Sequence, residues 1–175
     1  MTEGIGVRSL QHMGLRSAES KIINRESLSE ERERLRAGGR TLVFTNGCFD
    51  LIHAGHVRYL AFARRQGDAL LVGLNSDASV KKNKGPSRPI VPARERALVL
   101  AALEAVDYVV IFEEDEPAAL IAELIPDVLV KGEDWAHYVS GREVVESHGG
   151  KVVLAPLVKG KSTSDIIERI RTSDA

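Results

Sequence analysis

The sequence predicts an α/β chain: a doubly wound, Rossmann-like, parallel five-stranded sheet with helices on both faces, in a single domain. Three observations predict it. Five short runs rich in Val, Leu and Ile alternate with segments of helical apolar spacing. The runs are continuously apolar, as strands covered on both faces must be. The stretch between successive runs is long enough for a crossover helix, and right-handed crossovers place helices on both sides of a sheet. A length of 175 residues fits one domain with a sizeable core.

Residues 1–20 are Gly- and Ser-containing without sustained periodicity and read as a disordered extension, with 21–175 forming the domain. Ser27–Arg36 is a helix, opened by a Ser27/Glu30 capping box and ended by Gly38-Gly39. The strands are Thr41–Thr45, Ala69–Leu74, Tyr108–Phe112, Val128–Val130 and Val152–Leu154. Between and after them come helices Gly55–Gln66, Pro92–Glu104, Pro117–Leu124, Gly141–Ser147 and Ser164–Arg171. Asn75–Val91 and Lys131–Ser140 remain as long irregular stretches. Both follow strands, so both open onto the carboxyl edge of the sheet, where open α/β sheets bind ligands.

Composition excludes several classes. Lys and Arg total 24 against 25 Asp and Glu, a net charge of −1, which gives no basis for non-specific nucleic-acid or membrane-surface binding. The single cysteine, Cys48, excludes an intramolecular disulfide and a cysteine-based zinc cluster. No apolar run approaches the roughly 20 residues of a membrane span. The N-terminus lacks a signal-peptide apolar region, so the expected location is the cytoplasm.

The chemistry gathers at strand ends. The first strand runs into Thr45-Asn46-Gly47-Cys48-Phe49-Asp50 and then His53-Ala54-Gly55-His56 where a helix begins. That spacing puts both imidazoles on one face of the first turn, beside unpaired backbone N–H groups suited to phosphate. Gly47 and Gly55 permit close approach there. Two capping or surface histidines would read the same; zinc would need a third ligand and a general-base Glu that the motif lacks. After the second strand, Lys81, Lys82, Lys84 and Arg88 make a cationic cluster, either a solvated basic loop or one that closes over polyphosphate. The fourth strand leads into Lys131-Gly132-Glu133-Asp134-Trp135, where Gly132 allows backbone approach to a flat base. Trp135 reads equally as a lid or core aromatic. The last helix opens with Lys161-Ser162-Thr163-Ser164, an N-cap or a second phosphate site. His12, His137 and His148 are isolated, and Cys48 reads as a small buried residue.

Thr45–His56 resembles the signature of the small nucleotidyltransferases that transfer AMP or CMP onto phosphorylated substrates. More narrowly, the chain resembles the bacterial heptose-1-phosphate adenylyltransferases of ADP-heptose synthesis, over Lys21–Ile170. The resemblance implies catalytic roles for His53 and His56 at the reacting α-phosphate, and for Lys81 and Lys84 at the leaving pyrophosphate, with Lys82 facing solvent. It implies nucleotide or phosphate contacts for Thr45, Asn46, Gly47, Cys48, Phe49, Gly55, Arg88, Arg96, Lys131, Gly132, Asp134, Ser162, Thr163 and Ser164. ATP is the implied substrate, with Mg²⁺ carried mainly on its phosphates and no metal site of the protein's own; Asp50 is left to hold either the histidine turn or the metal. A sugar 1-phosphate is the implied acceptor. Glycerol-phosphate cytidylyltransferases carry a cytosine-reading Arg where this chain is aligned with Glu104, and Arg-Thr-Glu-Gly where it has Leu157–Gly160; both departures favour ATP over CTP. Glu133 departs from the Gly of many heptose members. The resemblance further implies a homo-oligomer and, since relatives are often fused to a sugar kinase too large for this chain, a separate kinase upstream.

Overall fold

In a computed structural model describing residues 16–157, 160 and 162–173, the apolar runs form β1 (Leu42–Gly47), β2 (Ala69–Asn75), β3 (Tyr108–Phe112), β4 (Val128–Gly132) and β5 (Lys151–Ala155). All pair in parallel, in the order β3-β2-β1-β4-β5. The helices are α1 (Leu28–Ala37), α2 (Ala54–Arg64), α3 (Asp77–Lys84), α4 (Ala93–Ala102), α5 (Ala118–Leu124), α6 (Arg142–Ser147) and α7 (Thr163–Ser173). Every expected strand and helix lies within two residues of its expected bounds.

Two expectations need correction. Asn75–Val91 is not irregular throughout: its first half is α3, because the Ser76 hydroxyl caps the Ser79 N–H and Asp77 sits in the positive first turn. Gly85, at a φ of 97°, ends that helix. The Ser27/Glu30 capping box does not form either. Ser27 has helical dihedrals and makes no cap; Asn24 accepts from the Ser27 N–H and caps the preceding turn. Residues 1–15 of the expected extension lie outside the described residues. Within 16–20, Arg16 donates to the Asp107 carbonyl and Ala18 packs on the core.

Period-2 alternation fills both faces. Leu42 and Phe44 of β1 and Leu71 of β2 pack with Leu35, Leu120 and Ile121 beneath α1 and α5. Val43, Leu70, Val72 and Leu74 point the other way, to Leu60, Ala97 and Leu100 of α2 and α4. Burial on this scale is the main driving force for the fold, at about 25 cal/mol per Å² of apolar surface.

The sheet positions a cleft. Strand order reverses at β1, which lies between β2 and β4, and ligands bind at such switch points. β1 pairs with β2 over its whole length but with β4 at Val43 and Phe44 alone, so the carboxyl halves of β1 and β4 part. Tyr59 of α2 bridges the gap: its buried hydroxyl lies 2.6 Å from Thr45 Oγ1 and donates to the Val130 carbonyl at 3.1 Å.

Candidate active site

Beyond the parted strands lies a cavity of about 660 Å³, in the range that holds a small-molecule ligand. His53 and His56 line it from the start of α2. His53 is the N-cap, extended at φ −140°, and its Nδ1 accepts from the Gly55 N–H at 3.1 Å. The two imidazoles stack with centroids 3.8 Å apart, on one face as their spacing predicts. Gly55 is buried in the cavity wall between them.

His56 is poised differently from its neighbour. Burial first, and then the adjacent His53 ring, lower its pKa to about 4, against a smaller pull from the Leu51 backbone. The buried Nδ1 of His56 has no hydrogen-bond partner among the described residues. His56 is therefore uncharged at neutral pH. A polyphosphate brought beside it supplies negative charge that favours the imidazolium.

Phe49 supports this arrangement from the turn after β1. Its backbone takes a φ of 43°, and its ring meets His56 edge-on at 5.2 Å. Gly47 makes room for it, since a Cβ there would lie 2.9 Å from Phe49 Cε2. Asn46, Gly47 and Cys48 line the same wall. Cys48 is half-buried rather than fully buried, and burial raises its thiol pKa, which leaves it a poor nucleophile.

The cationic groups separate into different roles. Lys84 and Arg88 line the cavity, whereas Lys81 is exposed on α3 and does not. Lys82 pairs with Asp115 rather than with solvent alone. Arg88 is held by Asp50, whose carboxylate also accepts from the Ile90 and Val91 N–H groups at 2.8 and 3.0 Å. Burial opposes ionisation of Asp50, but those two backbone donors and the Arg88 guanidinium outweigh it and hold its pKa below the ordinary carboxylate range. Asp50 thus anchors the 88–91 segment.

Arg96 and Thr45, expected to touch the nucleotide, do not reach the cavity. Arg96 is 1% exposed, and its guanidinium donates to the carbonyls of Val91, Cys48 and Asn75 and to Asp77 Oδ1. It ties together the ends of β1 and β2 and the start of α3. Thr45 is fully buried under the strands on Tyr59.

On the other side of the switch point, Lys131, Gly132 and Asp134 line the cavity with Trp135. Lys131 Nζ donates to Asn46 Oδ1 at 3.0 Å and sits 5.2 Å from the Trp135 ring centroid. Burial lowers the Lys131 pKa, and Asp134 partly restores it. A Cβ at Gly132 would lie 2.3 Å from Asp134 Oδ1, so any side chain there would displace the Asp134 carboxylate from its present position. Ser162, Thr163 and Ser164 complete this side. The Ser162 hydroxyl caps α7 through the Asp165 N–H at 3.0 Å, and Thr163 donates to the Leu51 carbonyl at 3.3 Å, which docks α7 on the histidine turn. Lys161 lies outside the described residues.

The stacked histidine pair thus stands at a helix start that follows the central strand of the sheet. Residues 44–169 match the cytidylyltransferase-like family. The chain belongs to that family. The chain is 56% identical over 169 residues to the bifunctional protein HldE of Trichlorobacter lovleyi, covering 96% of this chain and 34% of that protein. It is 58% identical over 153 residues to HldE of Syntrophotalea carbinolica, covering 87% of this chain and 31% of that protein. It therefore spans about a third of the length of these relatives. Among solved structures it is similar to the lipopolysaccharide core biosynthesis protein from Thermoplasma volcanium, at 25% identity and a TM-score of 0.58, covering 70% of this chain and 100% of that one. Pantoate-β-alanine ligase from Francisella tularensis shares the fold, at 16% identity and a TM-score of 0.57 over 88% of this chain and 78% of that one.

Within this cytidylyltransferase-like chain, the sequence reading missed one wall. Asp115, Glu116, Tyr138 and Ser140 all line the cavity. The signal was present, because Glu113–Glu116 follows the carboxyl end of β3, the location that singled out the other loops. The Glu104 comparison also fails. Glu104 lies in the α4–β3 connection at the opposite edge of the sheet, beside a second cavity with Leu60 and Leu103, and bears on no base. Glu133, the other departure, accepts from the Leu157 N–H at 2.8 Å and so joins the segments after β4 and β5. Among the described residues no group of three or more His, Cys, Asp or Glu could hold a metal ion, and Asp50 is committed to Arg88 and the 90–91 backbone. No helix among them is long and apolar enough to cross a membrane.

Proposed function

We propose that this chain transfers AMP from ATP onto a heptose 1-phosphate, giving ADP-heptose and pyrophosphate. The observation that carries the reading is the stacked His53–His56 pair at the N-terminus of α2, facing a cavity at the switch point of the sheet. The family and the relatives at 56% and 58% identity support it.

In this reading a phosphate oxygen of the sugar 1-phosphate attacks the α-phosphorus of ATP and pyrophosphate leaves. No covalent enzyme intermediate is needed; positioning and charge stabilisation carry such transfers. His53 and His56, with the α2 N–H groups, stabilise charge at the α-phosphate. Lys84 and Arg88 neutralise the departing pyrophosphate. Lys81 would join them only if its side chain swings in from the exposed face of α3. Lys131, Gly132, Asp134 and Ser162–Ser164 take the nucleotide, while Arg96 and Thr45 act by holding strand ends in place. Mg²⁺ would arrive on the triphosphate, whose charge it offsets, since these residues do not form a cage for it.

Adenine is assigned from the motif resemblance, with Glu104 set aside, so the deciding assay offers both ATP and CTP. Pyrophosphate release is measured against a panel that includes D-glycero-D-manno-heptose 1-phosphate. The expected result is release with ATP and the heptose phosphate, lost by at least a hundredfold in His56→Ala. Near wild-type release in that variant would show the histidine assignment to be wrong. We further place the reaction in the cytoplasm, where ATP is available, with a sugar kinase activity supplying the acceptor and a homo-oligomeric enzyme.

A further inference from the structure

The cavity wall carries both signs of charge. Lys84 and Arg88, the start of α2 and the Ser162–Ser164 turn face one part of it, and these are groups that attract phosphate. Asp115 and Glu116, from the β3–α5 connection, bring carboxylates to the same wall; Asp115 is paired with Lys82 of α3, which leaves Glu116 as the carboxylate not held by a cation among the described residues. Glu116 is held in place: Tyr138 Oη donates to its Oε2 at 2.8 Å, and Ser140 Oγ donates to the same oxygen at 3.0 Å. Its other oxygen, Oε1, accepts no hydrogen bond among the described residues. Tyr138 is 51% exposed, so its ring stands open beside Glu116, and Trp135, with Lys131 over its ring, lines the same cavity.

A wall of oriented carboxylate and exposed aromatic rings suits a neutral, hydroxyl-rich ligand. Sugar hydroxyls donate to carboxylate oxygens, and the apolar C–H faces of a sugar pack on aromatic rings. The wall spans the sheet edge: Asp115 and Glu116 follow β3, and Tyr138 and Ser140, which hold Glu116, come from the segment after β4. We propose that Glu116, positioned by Tyr138 and Ser140 and flanked by Asp115, binds the hydroxyls of the acceptor's polyhydroxy chain and sets specificity for a long sugar over a short polyol. The proposal rests on the transferase reading above and deepens it.

The test uses the full chain loaded with a non-hydrolysable α,β-methylene ATP, with titration calorimetry of D-glycero-D-manno-heptose 1-phosphate and of glycerol 3-phosphate as the short comparator. Glu116→Gln is expected to weaken heptose-phosphate binding about tenfold, equivalent to about 1.4 kcal/mol, and to erase most of the preference over glycerol 3-phosphate. Affinity for the nucleotide analogue should stay within twofold. Tyr138→Phe, which frees Glu116 without removing it, should show a smaller loss in the same direction. Unchanged heptose-phosphate affinity in Glu116→Gln, a loss that falls on the nucleotide or on Mg²⁺ dependence instead, or no heptose-phosphate binding by the wild type overturns the proposal. The two readings separate in pyrophosphate release. Wild-type turnover unaffected by Glu116→Gln sinks the specificity wall alone, whereas absence of wild-type turnover sinks the transferase assignment.

Discussion

Asp50→Asn is the most informative single change in the supporting structure. The Asp50 side chain is 1% exposed and its partner Arg88 15% exposed. Asparagine is close to isosteric, and its carbonyl oxygen can keep the Ile90 and Val91 N–H bonds now made to Oδ1. The loss concentrates at Oδ2, where an amide NH₂ would face the Arg88 guanidinium, donor against donor. Removing one partner of a buried pair costs about 3–5 kcal/mol. The residual exposure of Arg88 and the retained backbone bonds bring the expected loss to about 2–3 kcal/mol. With a urea slope of about 2 kcal/mol/M, the denaturation midpoint should fall by about 1–1.5 M with the slope unchanged.

The pH dependence gives this prediction a second edge. The folded pKa of Asp50 lies below its unfolded value, so its contribution is complete above about pH 4 and is lost as pH falls through the folded pKa. The gap between wild type and Asp50→Asn should therefore be constant from pH 5 to 7 and narrow below about pH 4. Urea midpoints across that range check both parts. A midpoint within about 0.2 M of wild type at pH 7, or a gap that persists undiminished in acid, would refute the account of Asp50 as the ionised anchor of the 88–91 segment.

Two further outcomes follow from the site. His56 has a folded pKa of about 4 against about 6.5 unfolded, so the unfolded chain takes the proton first and stability falls as pH drops between those values. His56→Gln should remove up to about 3 kcal/mol of that decline between pH 7 and 4.5, and a urea-midpoint profile as steep as wild type would contradict a buried neutral ring. In Gly47→Ala the new methyl would begin 2.9 Å from the Phe49 ring. The expected result is a loss of about 1–3 kcal/mol in stability, and kcat/KM for ATP lowered about tenfold as Phe49 shifts off His56, measured by denaturation and pyrophosphate release; wild-type kinetics would show that Phe49 does not position the ring.

The parts of this molecule that could be read from sequence are those fixed by short-range rules. A strand covered on both faces must be apolar without a break, and Tyr108–Phe112 is such a run, found with its bounds unchanged. His53 and Gly55 announce a helix start because capping chemistry is local, and the structure uses the His53 ring itself as the cap. α3 escaped because its lysines resemble a basic loop, while the feature that makes it helical is one hydroxyl, Ser76, bonded three residues along. That error propagated. On a loop, Lys81 and Lys84 are interchangeable; on a helix, the cavity meets one and not the other.

Arg96 shows a different limit. Nothing in Pro92-Ala93-Arg94-Glu95-Arg96 distinguishes its two arginines, yet Arg94 is exposed and Arg96 is buried on three backbone carbonyls. Those carbonyls lie far apart in the chain and meet only once β1 and β2 are paired. A cation that satisfies strand-end carbonyls is thus a tertiary property, which is why the family resemblance led to the ligand instead. The same holds for net charge: a total of −1 describes a chain whose cavity gathers Lys84, Arg88 and Lys131 together with Asp115 and Glu116. That gathering arises from which strand each loop follows rather than from how many charges the chain carries.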